Sequence, residues 1–184
     1  MFALGIVYLR SMLMELIRPW GGLKRGTKGE DEMIKKIVAE IDEALKDLKN
    51  QVFSLVEEAR QLLKSIRIQK QHHEDVQKKA RPIWVYIRER DGYETISIVW
   101  SQVMFFSKGK NLPHYRDISR GRSYRISKGR FLKYVAGYHP QIQEELWDYE
   151  KAFGEFRKRQ ALLNKARINL QQFQKEVIKP IGEV

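Results

Sequence analysis

From residue 34 onward, apolar residues recur at alternating steps of three and four. Ile34, Ile41, Leu48, Leu55, Leu62, Gln69 and Val76 occupy one heptad position, and Val38, Leu45, Val52, Ala59, Ile66 and His73 the other; eleven of these thirteen are apolar. The spacing predicts one long helix over residues 30–80 with a coiled-coil seam. From Ile34 to Val76 such a helix spans roughly 65 Å at 1.5 Å per residue. It needs a partner, because an isolated helix gains little stability in water. Thr27 and Glu30 have capping-box spacing at its start. Arg81-Pro82 marks its end, since the residue before proline disfavours helical geometry.

The period then changes from about 3.5 to 2. Asp91-Gly92 is a two-residue turn signal, and as the turn it pairs Ile87 with Ile96, Val85 with Ile98 and Ile83 with Trp100 on one face. That face is expected to pack on the helices. Trp84, Val99, Tyr86, Ser97, Arg88 and Thr95 share the other, more polar face, open to solvent or ligand. Val103 to Phe106 extends the second strand. Ser107 to Gly121 reads as a long loop, of a length that is uncommon without a function. Ser123 to Ser127 alternates like a third short strand. Ser127 then caps a short helix running through Phe131, Tyr134 and Val135 to near Gly137.

Pro140 suits the first turn of a last helix, with Glu144 and Glu145 complementing its positive end. Its apolar stripe is Ile142, Leu146, Tyr149, Phe153, Phe156, Leu163, Leu170 and Val177, interrupted by Gln160, Arg167 and Gln174. Lys175 and Lys179 fall in the last turn and Pro180 stops the helix. The expected fold class is α+β, mainly α. Two long antiparallel coiled-coil helices, residues 30–80 and 140–179, flank an insert over 81–139 that holds a small antiparallel β-hairpin or meander, a basic loop and a short helix. The insert would sit at one tip of a rod. Heptad seams serve a homodimer as readily as an intramolecular hairpin, so both arrangements stay open.

Residues 1–29 read as an apolar N-terminal extension followed by a glycine-rich linker. Phe2 to Leu9 is apolar but too short to span a bilayer. It has no basic region before it and no clear cleavage site, so it is a poor signal peptide. A short helix packing on the body, or an extension from an early start codon, is preferred over an interfacial membrane helix. Met12, Met14 and Met33 are other candidate starts.

Charge sharpens this picture. The net charge is +12, and Lys108, Lys110, Arg116, Arg120, Arg122, Arg125, Lys128, Arg130 and Lys133 are set against one acid, Asp117, within the same stretch. Tyr115, Tyr124 and Phe131 are interleaved with these cations, and Gly109, Gly121 and Gly129 break the stretch into short pieces. Such a concentration is an electrostatic footprint for a polyanion, nucleic acid before an anionic membrane or an acidic protein. Lysine and arginine neutralise phosphates and supply affinity without sequence choice. Arg116, Arg120, Arg122 and Arg125 are also the candidates for bidentate contact with guanine. Tyr115, Tyr124 and Phe131 are candidates for stacking on unpaired bases or for packing in the core.

Catalytic signatures are missing. His72 and His73 are adjacent and point about 100° apart on a helix, while His114 and His139 stand alone, so no metal or other cofactor is expected. No phosphate-binding G-x-x-x-x-G-K-[ST] loop and no G-x-S-x-G elbow occurs. Relaxases that nick DNA pair a tyrosine with a His-hydrophobic-His metal set, which is also missing. There is no cysteine, which excludes disulfides and thiolate zinc sites and fits a reducing cytosol. The expectation is a binding protein and not an enzyme.

Three stretches carry a family resemblance: IWVYIRERDGYETISIVW from Ile83 to Trp100, GRSYRISKGRF from Gly121 to Phe131, and EELWDYEKAF from Glu144 to Phe153. In the order of these elements, roughly from residue 40 to 175, the chain resembles the MobI mobilisation proteins of conjugative plasmids and integrative conjugative elements. The resemblance implies a cytoplasmic DNA-binding auxiliary of the relaxosome. It would act at the origin of transfer and help a separate relaxase begin conjugation. Two other partners remain in view from the charge alone: an acidic protein docking on the basic stretch, and RNA.

Overall fold

In the computed structural model the structure describes residues 28–70, 82–89, 95–104 and 114–178. Within them the order is α1 (Lys28–Lys70), β1 (Ile83–Glu89), β2 (Ile96–Met104), β3 (His114–Asp117), α2 (Lys128–Val135) and α3 (Pro140–Ile178). The fold is α+β and mainly α, with one antiparallel sheet in the order β1-β2-β3. The N-terminal twenty residues, Thr27, Lys108, Lys110, Lys179 and the Asp91-Gly92 turn lie outside the described residues.

The described residues fall into two compact units, 40–167 and a smaller one of 28–39 with 168–178. In the smaller unit Ile34 and Ile37 are buried, and the Gln174 side chain donates to Asp31 at 2.6 Å, joining α1 to α3. In the larger unit Asp42 of α1 pairs with Arg167 of α3 at 2.9 Å, and the Tyr149 phenol feels Glu58. Rising numbers on one helix therefore meet falling numbers on the other, so the two segments run antiparallel within this unit.

Along α1, Ile34, Ile41, Leu45, Leu48, Val52, Ala59 and Ile66 are buried at their expected seam positions. At three places the buried residue is a neighbour of the expected one: Ile37 for Val38, Val56 for Leu55 and Leu63 for Leu62, with the expected residue half-buried beside it. The buried face is thus broader than a two-helix seam. In the larger unit the reason is that α1 packs against a sheet as well as a helix, which calls for an apolar stripe of 100° or more.

In the hairpin, paired positions sum to 185 instead of the expected 183: Ile87 faces Ile98, Val85 faces Trp100 and Ile83 faces Gln102. The register is two residues away from the one centred on Asp91-Gly92. An even shift preserves the pleat, so every side chain keeps its face. Ile83, Val85, Ile96, Ile98 and Trp100 are buried, while Trp84, Tyr86 and Val99 on the opposite face are only half-buried. Contacts from α3 hold β2 in this register. Gln160 both donates to the Ile96 carbonyl and accepts from its N–H at 3.0 Å, and Trp100 donates its indole N–H to Glu150 at 2.8 Å.

The third strand is His114–Asp117, not Ser123–Ser127 as the alternation suggests. It covers only Ser101 to Met104 of β2. The rest of that edge is closed from elsewhere. Ile118 N–H donates to the Trp100 carbonyl at 2.7 Å, Arg157 donates to the Ile98 carbonyl at 3.0 Å, and Gln160 takes Ile96. Buried backbone groups must be paired, and here helix side chains do what a neighbouring strand would.

The core centres on Trp100. Its ring meets Phe131 edge-on at 5.3 Å and Phe153 at 5.7 Å, and Phe131 touches Trp147 at 5.9 Å. Phe131 and Val135 drive one face of α2 into this cluster. Ser127 stands at the N-cap of α2 in extended geometry, but its hydroxyl makes no capping bond; its carbonyl accepts from Arg130 and Phe131. Glu144 and Glu145 lie beyond the first turn of α3, which has no acid, and Glu144 is engaged by Lys128 instead of by the helix end.

Candidate nucleic-acid interface

The segment from Ile118 to Ser127 runs from β3 to α2 without regular structure. It is nonetheless held at many points, and we call it the strap. Ile118 and Ile126 are its buried anchors, and every other residue between Ser119 and Ser127 is exposed. Gly121 adopts a φ of 72°, the left-handed region where a side chain would be strained. Around it the chain turns tightly: Arg120 donates to the Ser123 carbonyl at 2.9 Å, and Gly121 N–H donates to the Ser119 hydroxyl at 3.2 Å.

Three successive strap residues meet α3 in antiparallel register. The Tyr124 carbonyl accepts from Arg157 at 2.9 Å, and Ile126 N–H donates to Glu150 at 2.6 Å. Between them, the stem of Arg125 lies over Gly154: a Cβ added there would stand 2.8 Å from Arg125 Cβ. A glycine inside a helix costs about 1 kcal/mol relative to alanine. Here it makes room for the strap.

Glu150 and Arg157 form the hub beneath. Glu150 is fully buried and accepts from Trp100, Ile126 and Arg157, the last at 3.0 Å. Arg157 links Glu150, the Tyr124 carbonyl and the Ile98 carbonyl, so one guanidinium ties helix, strap and sheet. Burial pushes the Arg157 pKa down, the Glu150 carboxylate opposes that shift, and the charge of nearby Arg120 adds to it. Two buried charges are tolerable only because each is paired and its remaining sites are largely used by backbone or indole groups.

On this support sit the predicted site residues. Tyr115 and Arg116 are on β3, Arg120, Arg122, Tyr124 and Arg125 on the strap, and Lys128, Arg130 and Lys133 on α2. All nine are exposed. Tyr115 and Tyr124 are 47% and 44% exposed, whereas Phe131 belongs to the core and is not available for stacking. Among the described residues, Lys128 is the one cation of this group with an ion pair, to Glu144 at 3.1 Å and half in solvent. The acid of the stretch, Asp117, is taken by other groups. Arg88 pairs with it at 2.9 Å and the Tyr86 hydroxyl donates to it at 2.7 Å, both from the outer face of β1. The arrangement therefore presents arginines and lysines outward on a braced backbone, with the one acid of the stretch engaged by β1.

The hub was not legible in the sequence. In sequence, Glu150 and Arg157 are two charges among many on a long helix, and Gly154 is one glycine within it. Their seven-residue spacing and the glycine between them are the only local signal, and it is weak without the strap in view.

Among the described residues there is no group of three or more His, Asp or Glu side chains placed to hold a metal. Among them, too, no helix is long and apolar enough to cross a membrane.

A family model described as MobI protein matches residues 55–171, from the middle of α1 to near the end of α3. That is more than half of the chain, and the chain belongs to this family, which ties it to mobilisation. No curated protein and no solved structure matches it.

Proposed function

We propose that this member of the MobI family is an auxiliary DNA-binding protein that acts at the origin of transfer. There it grips the DNA backbone through the strap and α2 and helps a separate relaxase begin conjugative transfer, catalysing no step itself. The observation that supports this reading most is the state of the cations. Arg116, Arg120, Arg122, Arg125, Arg130 and Lys133 are exposed and carry no ion pair to the chain's own acids among the described residues. Unpaired cations crowded on a fixed backbone repel one another, and a phosphate run relieves that repulsion while releasing counterions.

The test is the triple variant R120A/R122A/R125A, assayed for binding to duplex DNA carrying the transfer origin, with scrambled duplex as control. Binding is expected to weaken while helix content by circular dichroism stays unchanged. Loss of fold would instead make these arginines structural. Unaltered binding would remove them from the interface. Competition by single strands and RNA, and a pull-down with the cognate relaxase, separate this reading from RNA binding and from docking on an acidic protein.

A further inference from the structure

The strap does not carry all of the positive surface. Arg125 lies over α3 at Gly154, so the adjoining face of that helix borders the strap. Lys151 and Lys158 stand one turn to either side of Gly154 on that face, and Lys165 follows two turns beyond Lys158. All three are exposed. At seven-residue steps they form a lengthwise row with about 10 Å between neighbours, since a helix rises 1.5 Å per residue. Lys151 is held by Asp148 at 2.6 Å, while among the described residues Lys158 and Lys165 have no ion pair.

From this juxtaposition we infer that α3 forms a second wall of the DNA interface, with Lys158 and Lys165 continuing along the helix the phosphate contacts that Arg125 begins. A flexible patch of cations can follow any polyanion. A row fixed on a helix favours a backbone that runs alongside it over roughly 10 to 20 Å, the reach of a few consecutive phosphates on one DNA strand. The notch at Gly154 is what joins the two walls, for a side chain there would lift Arg125 away from the helix.

This inference rests on the DNA-binding reading above. Its test is a salt titration of duplex binding by the full chain, comparing wild type, K158A/K165A and K46A/K64A. The last pair removes the same charge from α1. Each phosphate contact contributes about 0.9 to the slope of log affinity against log salt. K158A/K165A is expected to reduce the slope by nearly two, and K46A/K64A to leave it close to wild type. A slope unchanged in K158A/K165A, with R120A/R122A/R125A still lowering it, would overturn the second wall and leave the strap as the interface. Equal losses in both lysine pairs would also overturn it, by showing that only net charge matters. A flat wild-type titration would instead defeat the DNA-binding reading itself.

Discussion

The carboxylate of Glu150 and the guanidinium of Arg157 meet at 3.0 Å inside the protein, with side-chain exposures of 0% and 7%. They lie two turns apart on α3 and hold everything between the sheet and the strap. Removing one partner of a buried pair leaves an uncompensated charge, typically at a cost of about 3–5 kcal/mol. E150A should therefore be destabilised by about that much in urea unfolding. E150L/R157M should be destabilised less than E150A alone, because the stranded charge is gone. A double variant as unstable as the sum of the singles would mean that the two residues act independently.

Gly154 sets two effects against each other. Alanine in a helix interior gains about 1 kcal/mol over glycine. The added Cβ, however, would come within 2.8 Å of Arg125 Cβ, the stiff base of that side chain. Overpacking of this kind costs about 1–3 kcal/mol. G154A should come out neutral to destabilised by about 1–2 kcal/mol, and its DNA affinity should fall. A clear stabilisation with intact binding would show that the strap yields freely.

Gln160 looked like a break in an apolar stripe. It makes two hydrogen bonds of 3.0 Å to the backbone of buried Ile96. Q160A leaves both groups unpaired and should cost about 1–3 kcal/mol, read by chemical denaturation. Amide exchange at Ile96 should accelerate with it.

Tyr138 links stability to alkaline pH. Burial pushes its phenol above the ordinary range, only partly opposed by the Ile83 N–H that donates to its oxygen at 3.2 Å. The folded state favours the neutral form. The stabilisation is thus complete below the ordinary phenol value near 10 and is lost as pH rises through the elevated one. Y138F should flatten the decline in stability above pH 10. At neutral pH it should cost about 1–3 kcal/mol, because the buried Ile83 N–H loses its acceptor.

Asp117 opposes the field of the strap from within the same stretch, although Arg88 and Tyr86 hold it. D117N should tighten DNA binding and steepen its salt dependence. Weaker binding by D117N would show that the Arg88–Asp117 contact positions β3 for the interface.

The long helices, the two-faced hairpin and the basic stretch were legible because each is a local pattern: a three-four repeat, a two-residue alternation, a run of like charge. Parity survived an error in register, since the faces depend on odd and even positions while the exact pairing depends on what grips β2. Those grips come from Glu150, Arg157 and Gln160, 50 to 64 residues away in sequence. The third strand escaped because His114–Asp117 is exposed at all four positions and shows no alternation. Ser123–Ser127 does alternate, but its backbone answers to α3. The identities of the nine cations and tyrosines on the described surface needed only charge and composition. What supports them needed the fold.

We propose that cations on this braced backbone engage DNA phosphates, and a salt titration of duplex binding by the wild-type protein is the sharpest check of that claim. With about six phosphates contacted, log affinity should fall against log salt with a slope near −5. Affinity that is indifferent to salt would contradict the claim.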